Sequence, residues 1–162
     1  AVLLSLDRMF QADFEDGGLD QLMLLPVTLE GAVVAKLSAH FVGILFPVLA
    51  TMPLAGLLLN IRPDTVVPML ATLLAGAPAL VMLGAIGAAL AVGVRRAGLL
   101  TVLIVTPLYV PVIVFGAGAL ARSLAAPGTL DVAALGVLGL ISAASIFLAP
   151  PAIAAALRAG SR

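Results

Sequence analysis

His40 is the residue of this chain best suited to chemistry, because it is the only histidine and lies about one turn into an apolar stretch. An ionisable side chain inside a membrane segment is a candidate for function, and an imidazole can ligate haem or carry a proton. The alternative is a hydrogen-bonded polar residue inside a helical bundle. Since the chain has no cysteine, His40 cannot build a metal site from protein ligands alone.

Other catalytic patterns do not occur in the sequence. Ser38 would point to a different helix face from His40, and no Gly-x-Ser-x-Gly turn occurs. No Gly-rich phosphate loop ending in Lys-Ser or Lys-Thr occurs either, so we expect that this chain does not itself bind a nucleotide. A cluster of carboxylates matches no cation loop and is typical of a solvated helix face. Its members are Asp13, Glu15, Asp16 and Asp20. We therefore expect no enzyme activity, bound metal or tightly held cofactor.

The composition indicates an integral membrane protein. The chain is 63% hydrophobic and 10% charged, with a mean hydropathy of +1.28, whereas soluble domains are about 45–50% apolar and about one quarter charged. Four apolar stretches approach the roughly 20 residues that a helix needs to cross a bilayer. They are residues 37–59, 66–94, 99–121 and 132–157. We predict an all-α, polytopic transmembrane bundle that forms one domain over residues 1–162. A net charge of zero argues against nucleic acid as a partner.

Charge is concentrated ahead of the first span. Six of the eight acidic residues lie within residues 7–36. Residues 7–30 contain two amphipathic helical patterns separated by Gly17-Gly18, and we predict two short helices that lie in the membrane interface. The apolar residues 1–6 look like the end of a preceding transmembrane helix. We therefore expect the sequence to be an N-terminally truncated fragment.

The basic residues predict how the bundle is oriented. If segment 7–30 is cytoplasmic, six of the eight basic residues lie on the cytoplasmic side, as the positive-inside rule requires. The two on the other side are Arg62 and Arg122. We therefore predict that segment 7–30 and the C-terminus both face the cytoplasm.

The third span contains Pro107 and Pro111, four residues apart, and then a Gly-Ala-Gly run that begins at Gly116. Each proline removes a helix hydrogen bond, so we expect a bent or interrupted helix. Interrupted helices often line a pathway or move, and a static kink fixed by packing is the alternative. The residues that would form the hinge are Pro107, Tyr109, Pro111 and Gly116.

The second span, residues 66–94, is crowded with Gly and Ala. Small residues let helix backbones approach closely in a membrane, where lipid gives helices no hydrophobic reason to associate. The close approach can occur within one chain or at a subunit interface.

Four motifs, in this order, resemble those of one protein family. They are Leu6-Asp7-Arg8-Met9-Phe10 with Asp13-Phe14-Glu15-Asp16-Gly17; Ala35-Lys36-Leu37-Ser38-Ala39-His40; Arg95-Arg96-Ala97-Gly98; and Pro107-Leu108-Tyr109-Val110-Pro111 through Phe115-Gly116-Ala117-Gly118. The acidic run resembles the cytoplasmic segment of ABC-2-type transporter permeases. The whole chain resembles more closely the haem exporter protein B (CcmB) family of cytochrome c maturation, which has six transmembrane helices. Four of them would be complete here, with the end of a preceding one.

The resemblance implies a permease subunit of the bacterial inner membrane that has no catalytic site of its own. It implies a homodimer that pairs with a CcmA-like ATPase and works with CcmC- and CcmD-like membrane proteins. ATP hydrolysis on the ATPase would drive haem export or release of a haem-loaded, CcmE-like chaperone. Two alternatives stay open: a permease for another substrate, such as a lipid or drug, and a membrane scaffold that transports nothing.

The resemblance also assigns the contacts with the ATPase to the acidic segment. The coupling residues would be Phe14, Glu15, Asp16, Gly17, Leu19 and Leu22. We expect ATP-driven movement to push on this segment and the Pro107–Pro111 kink to flex in response.

Overall fold

The computed structural model describes residues 29–92 and 97–160. Within these ranges the chain forms four long α-helices and a short 3₁₀ turn, with no β-strand. The helices are α1 (Leu29–Leu58), α2 (Val66–Leu90), α3 (Ala97–Ala125) and α4 (Val132–Gly160), and the turn Pro63–Thr65 precedes α2. All four are long and apolar enough to cross a membrane. The predicted all-α transmembrane bundle is confirmed.

The helices extend past the charged residues at which the sequence suggests that the apolar spans end. α1 begins at Leu29 and so includes Lys36, and α3 continues through Arg122 to Ala125. At 1.5 Å per residue a helix of 29 residues is about 44 Å long, whereas the hydrocarbon core is about 30 Å thick. The additional turns therefore reach the interfacial region, where a charged side chain is stable.

α2 is the central helix of the described bundle. It packs against the other three, most extensively against α4 and α3. We call one buried group the α1–α2–α4 cluster, formed by Val33, Leu37, Ala85, Ala88, Ala89, Val92, Ala149, Ile153 and Leu157. We call the other the α2–α3–α4 cluster, formed by Ala79, Val112 and Leu138. α1 takes part in only the first of these two clusters, and many of its large apolar side chains are exposed.

The close approach of α2 to α3 depends on Gly87. A Cβ atom at this position would lie 2.0 Å from Cγ2 of Val105, which is fully buried, and 3.5 Å from the carbonyl oxygen of Thr101. At the position of Gly87, no side chain fits between α2 and α3. At this point the small residues of the second span serve packing within one chain.

The loop between α3 and α4 is held by Asp131. Its Oδ1 accepts a hydrogen bond of 3.0 Å from the backbone N–H of Ala134, which caps the first turn of α4. Its Oδ2 is buried and lies 2.6 Å from Nε of Arg122 in the last turn of α3. This contact is an ion pair rather than a well-aligned hydrogen bond. One carboxylate therefore fixes both the start of α4 and its distance from α3.

Gly87→Ala is expected to destabilise the bundle by about 1–3 kcal/mol, because the added methyl group must displace the stiff Val105 side chain or separate α2 from α3. The control is Gly43→Ala, since a Cβ at Gly43 would meet nothing within 4 Å. The free energy of unfolding in mixed detergent micelles measures both. Equal stability of the two variants would contradict the tight α2–α3 packing.

Asp131→Asn keeps a side-chain acceptor for the Ala134 N–H and loses the charge, whereas Asp131→Ala loses both. We expect the Ala variant to be the less stable, because the cap alone contributes about 1 kcal/mol. Thermal unfolding midpoints of the two variants and the wild type are the measurement. An Asn variant as unstable as the Ala variant would show that the cap contributes nothing.

Candidate functional site

Polar groups of three helices meet around Pro78, in the middle of α2. Proline has no backbone N–H, and its ring crowds the carbonyl groups of the preceding turn. Inside a bilayer such backbone groups need a protein partner, because no water is present to replace it. Two side chains on neighbouring helices bind the α2 backbone here, Ser142 on α4 and Tyr109 on α3.

The hydroxyl of Ser142 bridges two backbone groups of α2. Its Oγ donates a hydrogen bond of 2.5 Å to the carbonyl oxygen of Ala75 and accepts one of 3.2 Å from the N–H of Ala79. In an ideal helix these two groups would bond to each other, and their turn contains Pro78. Ser142 is only 5% exposed, so the bridge lies inside the bundle. α4 therefore holds the turn of α2 that contains the proline.

The hydroxyl of Tyr109 binds α2 just beyond the proline. It donates a hydrogen bond of 2.5 Å to the carbonyl oxygen of Leu80. Tyr109 is half-buried, whereas Pro107 and Pro111 on either side of it are exposed on the outer face of α3. Of the residues predicted to form a hinge, Tyr109 is thus the one that joins α3 to the α2 backbone.

Several other hydroxyl groups in the helices bond within their own helix. In each case the acceptor is the carbonyl oxygen four residues earlier, at 2.6–3.0 Å. Examples are Ser38, Thr51, Thr106 and Ser145. Such back-bonding satisfies a serine or threonine locally. Ser142 and Tyr109 differ because their hydroxyl groups connect one helix to another.

α3 is continuous from Ala97 to Ala125 and includes both prolines. The third span is therefore not interrupted in the membrane. Gly116 borders an apolar cleft between α2 and α3, and a Cβ atom at this position would meet nothing within 4 Å. The proposed flexing of α3 at Pro107, Tyr109, Pro111 and Gly116 stays a prediction.

His40 lies in α1, where it is partly buried and interacts with a neighbouring group. The hydroxyl of Ser38 donates a hydrogen bond of 2.8 Å to the carbonyl oxygen of Val34, so this hydroxyl bonds within its own helix. In residues 29–92 and 97–160, no three His, Cys, Asp or Glu side chains come together in a way that could hold a metal ion.

The predicted ATPase contacts lie outside the described residues. They are Phe14, Glu15, Asp16, Gly17, Leu19 and Leu22.

The structure brings together residues that the sequence analysis does not connect. Pro78 is one of several prolines inside apolar spans, and Ser142 lies two helices further along the chain. Ser145, one turn after Ser142, has similar neighbours in the sequence. A serine in an apolar span indicates a hydrogen bond, but the sequence does not indicate which of these two serines faces α2.

Four apolar helices of membrane-crossing length, with buried cross-helix hydrogen bonds among them, define this chain as a multi-pass α-helical membrane protein.

Comparison with known proteins identifies the family. A family model described as "CcmB protein" matches residues 1–160. The chain is 50% identical over 160 residues to "Heme exporter protein B" of Paracoccus denitrificans, covering 99% of this chain and 72% of that protein. The protein of the same name from Rhodobacter capsulatus is 43% identical, over 100% of this chain and 73% of that protein. The one from Pseudomonas aeruginosa is 42% identical, over 98% of this chain and 70% of that protein. The chain belongs to the CcmB protein family, which confirms the resemblance seen in its motifs.

Tyr109→Phe removes only the hydroxyl that bonds to Leu80, and we expect it to destabilise the bundle by about 0.6 and at most about 1.7 kcal/mol. The matched control is Thr106→Val, which removes a hydroxyl that bonds within α3 and should cost less. Unfolding free energies in the same mixed micelles compare the two. A larger loss for Thr106→Val would contradict the role assigned to the cross-helix bond.

Proposed function

We propose that this chain is the membrane subunit of an ABC transporter complex for cytochrome c biogenesis. In this proposal it couples ATP hydrolysis by a separate ATPase to haem export or to release of a haem-loaded chaperone. The observation that carries the proposal is the family match over residues 1–160, together with relatives named "Heme exporter protein B". Four helices of membrane-crossing length are also what a permease requires.

ATP binding is assigned to a CcmA-like partner, because the sequence contains no Gly-rich phosphate loop. The charge-rich segment 7–30 is the proposed docking element, since an amphipathic helix can lie in a groove of a soluble protein. Its proposed contacts with the ATPase are Phe14, Glu15, Asp16, Gly17, Leu19 and Leu22. Movement there would reach the bundle through the start of α1, which follows directly in the chain.

The charges of the bundle support the proposed orientation, with segment 7–30 and the C-terminus in the cytoplasm. Lys36, in the first turns of α1, and Arg158, in the last turn of α4, lie at the end assigned to the cytoplasm. At the opposite end Arg122 is paired with Asp131 at 2.6 Å, and Nη2 of Arg62 lies 3.4 Å from Oδ2 of Asp64. Of the eight basic residues in the sequence, only Arg62 and Arg122 would then face the periplasm of a bacterial inner membrane, as the positive-inside rule requires.

The proposed partners are a second copy of this subunit, CcmC- and CcmD-like membrane proteins and a CcmE-like haem chaperone. The surface of α1 leaves room for contacts of this kind, because Val42, Phe46 and Leu57 are 62%, 73% and 80% exposed in the described bundle. These side chains can face lipid, another helix of the full subunit or a second subunit. Haem is proposed as a transported or handled ligand rather than a resident cofactor. His40 is kept as a candidate for haem or proton handling.

The test is complementation of a bacterial strain that lacks its own CcmB. Restored covalent attachment of haem to c-type cytochromes would support the proposal. Maturation that continues when the partner ATPase cannot hydrolyse ATP would favour a scaffold instead. Lipid or drug transport without maturation would favour a permease for another substrate.

Replacing both Gly17 and Gly18 with alanine should straighten the predicted elbow of segment 7–30 and uncouple ATP hydrolysis from maturation. We expect the ATPase rate to persist while the yield of cytochrome c falls. The matched control replaces Gly43 and Gly56 with alanine, since a Cβ at either position in α1 would meet nothing within 4 Å. An unchanged cytochrome c yield in the Gly17/Gly18 variant would count heavily against coupling through this segment.

A further inference from the structure

We propose that Pro78 is a hinge in α2 and that the hydroxyl groups of Ser142 and Tyr109 set its bending angle. This inference goes beyond the proposed function and does not depend on it. It starts from the hydrogen bonds that α2 receives from its two neighbours on either side of the proline.

A proline inside a helix removes one backbone hydrogen bond and loosens the turn before it. At Pro78 the hydroxyl of Ser142 occupies this turn, with one bond to the Ala75 carbonyl and one from the Ala79 N–H. Because both bonds are made with a side chain of α4, the geometry of this turn of α2 depends on where α4 lies. The bond from Tyr109 to the Leu80 carbonyl gives α3 the same influence on the next turn.

The packing of the bundle divides close to this point. The α1–α2–α4 cluster takes its α2 residues, Ala85, Ala88 and Ala89, only from the part after Pro78, and Val92 follows just past the end of α2. Its α4 residues, between Ala149 and Leu157, lie around and beyond Pro150-Pro151. Pro150 and Pro151 thus lie where this cluster begins in α4, and Pro78 lies about two turns before it begins in α2. The end of α2 also packs tightly against α3 through Gly87 and Val105. The ends of α2 and α4 can therefore move with α1 and with the start of α3 as one body relative to the rest of α4.

Unfilled space beside the proline gives α2 room to bend. One cleft is lined by Pro78 and Met82 of α2, by Pro150 of α4 and by Phe41 of α1. Another, between α2 and α3, is lined by Leu80 and other apolar residues. A close-packed interior resists deformation, so clefts at this level are what a hinge requires.

The experiment measures the distance between spin labels attached at Leu90→Cys and Phe147→Cys in the full-length protein in lipid nanodiscs. Leu90 and Phe147 are 51% and 80% exposed, and this chain has no cysteine of its own to label. We expect Ser142→Ala and Tyr109→Phe each to shift the mean distance between the labels by up to about 6 Å or to broaden the distance distribution by a similar amount. A change of about 20° at Pro78 produces that displacement at the end of an arm roughly 18 Å long.

Three further variants separate a hinge from a general loss of stability. Ser145→Ala makes the same change one turn away, where the hydroxyl bonds to Ile141 of its own helix, and should leave the distance as in the wild type. Ser142→Thr keeps a hydroxyl group at this position and should likewise leave the distance between the labels as in the wild type. Pro78→Ala restores the missing N–H, so it should narrow the distribution and abolish the effect of Ser142→Ala.

Two results would overturn the proposal. One is a distance distribution for Ser142→Ala that matches that of Ser145→Ala. The other is an effect of Ser142→Ala that is equally large with Pro78 and with Pro78→Ala, because the serine would then act independently of the proline.

Discussion

A backbone carbonyl or N–H group that loses its helical partner inside a bilayer has no water to replace it. Beyond their first turns, the four described helices contain seven prolines, and each one creates that situation. Around Pro78 the two neighbouring helices bind the α2 backbone, Ser142 in the turn that contains the proline and Tyr109 just beyond it. Since lipid tails are as apolar as the side chains of the bundle, such bonds and close packing hold the helices together, rather than a hydrophobic drive.

The many small residues of α2 follow from the same constraint. A serine side chain is short, so Ser142 reaches the backbone of α2 only if α4 lies very close. Ala75 and Ala79, whose backbone groups bond to Ser142, are small enough to permit this approach of α4. Gly87, also in α2, permits the close approach of α3. The Gly and Ala content of α2 and its cross-helix hydrogen bonds are therefore two aspects of one packing solution.

The four spans and the all-α class can be predicted from the sequence, because a long apolar run requires a membrane helix whatever its neighbours are. Which hydroxyl groups cross to another helix cannot be predicted, since Ser142 and Ser145 differ only in what packs against them. α3 is continuous although an interruption was one expectation, because Pro107 and Pro111 each remove one hydrogen bond and the other bonds of the 29-residue helix remain available. The shape of segment 7–30 and its contacts stay predictions, since all of it before α1 lies outside the described residues.

The central claim is that this membrane bundle works with a separate ATPase in cytochrome c maturation. Purification of the full-length subunit from its native membrane, with mass spectrometry of the proteins that accompany it, tests this claim most directly. We predict recovery of an ABC ATPase together with cytochrome c maturation proteins. An ATPase without maturation proteins would retain the permease and contradict the haem pathway. Recovery of the subunit with no ATPase would contradict the claim itself.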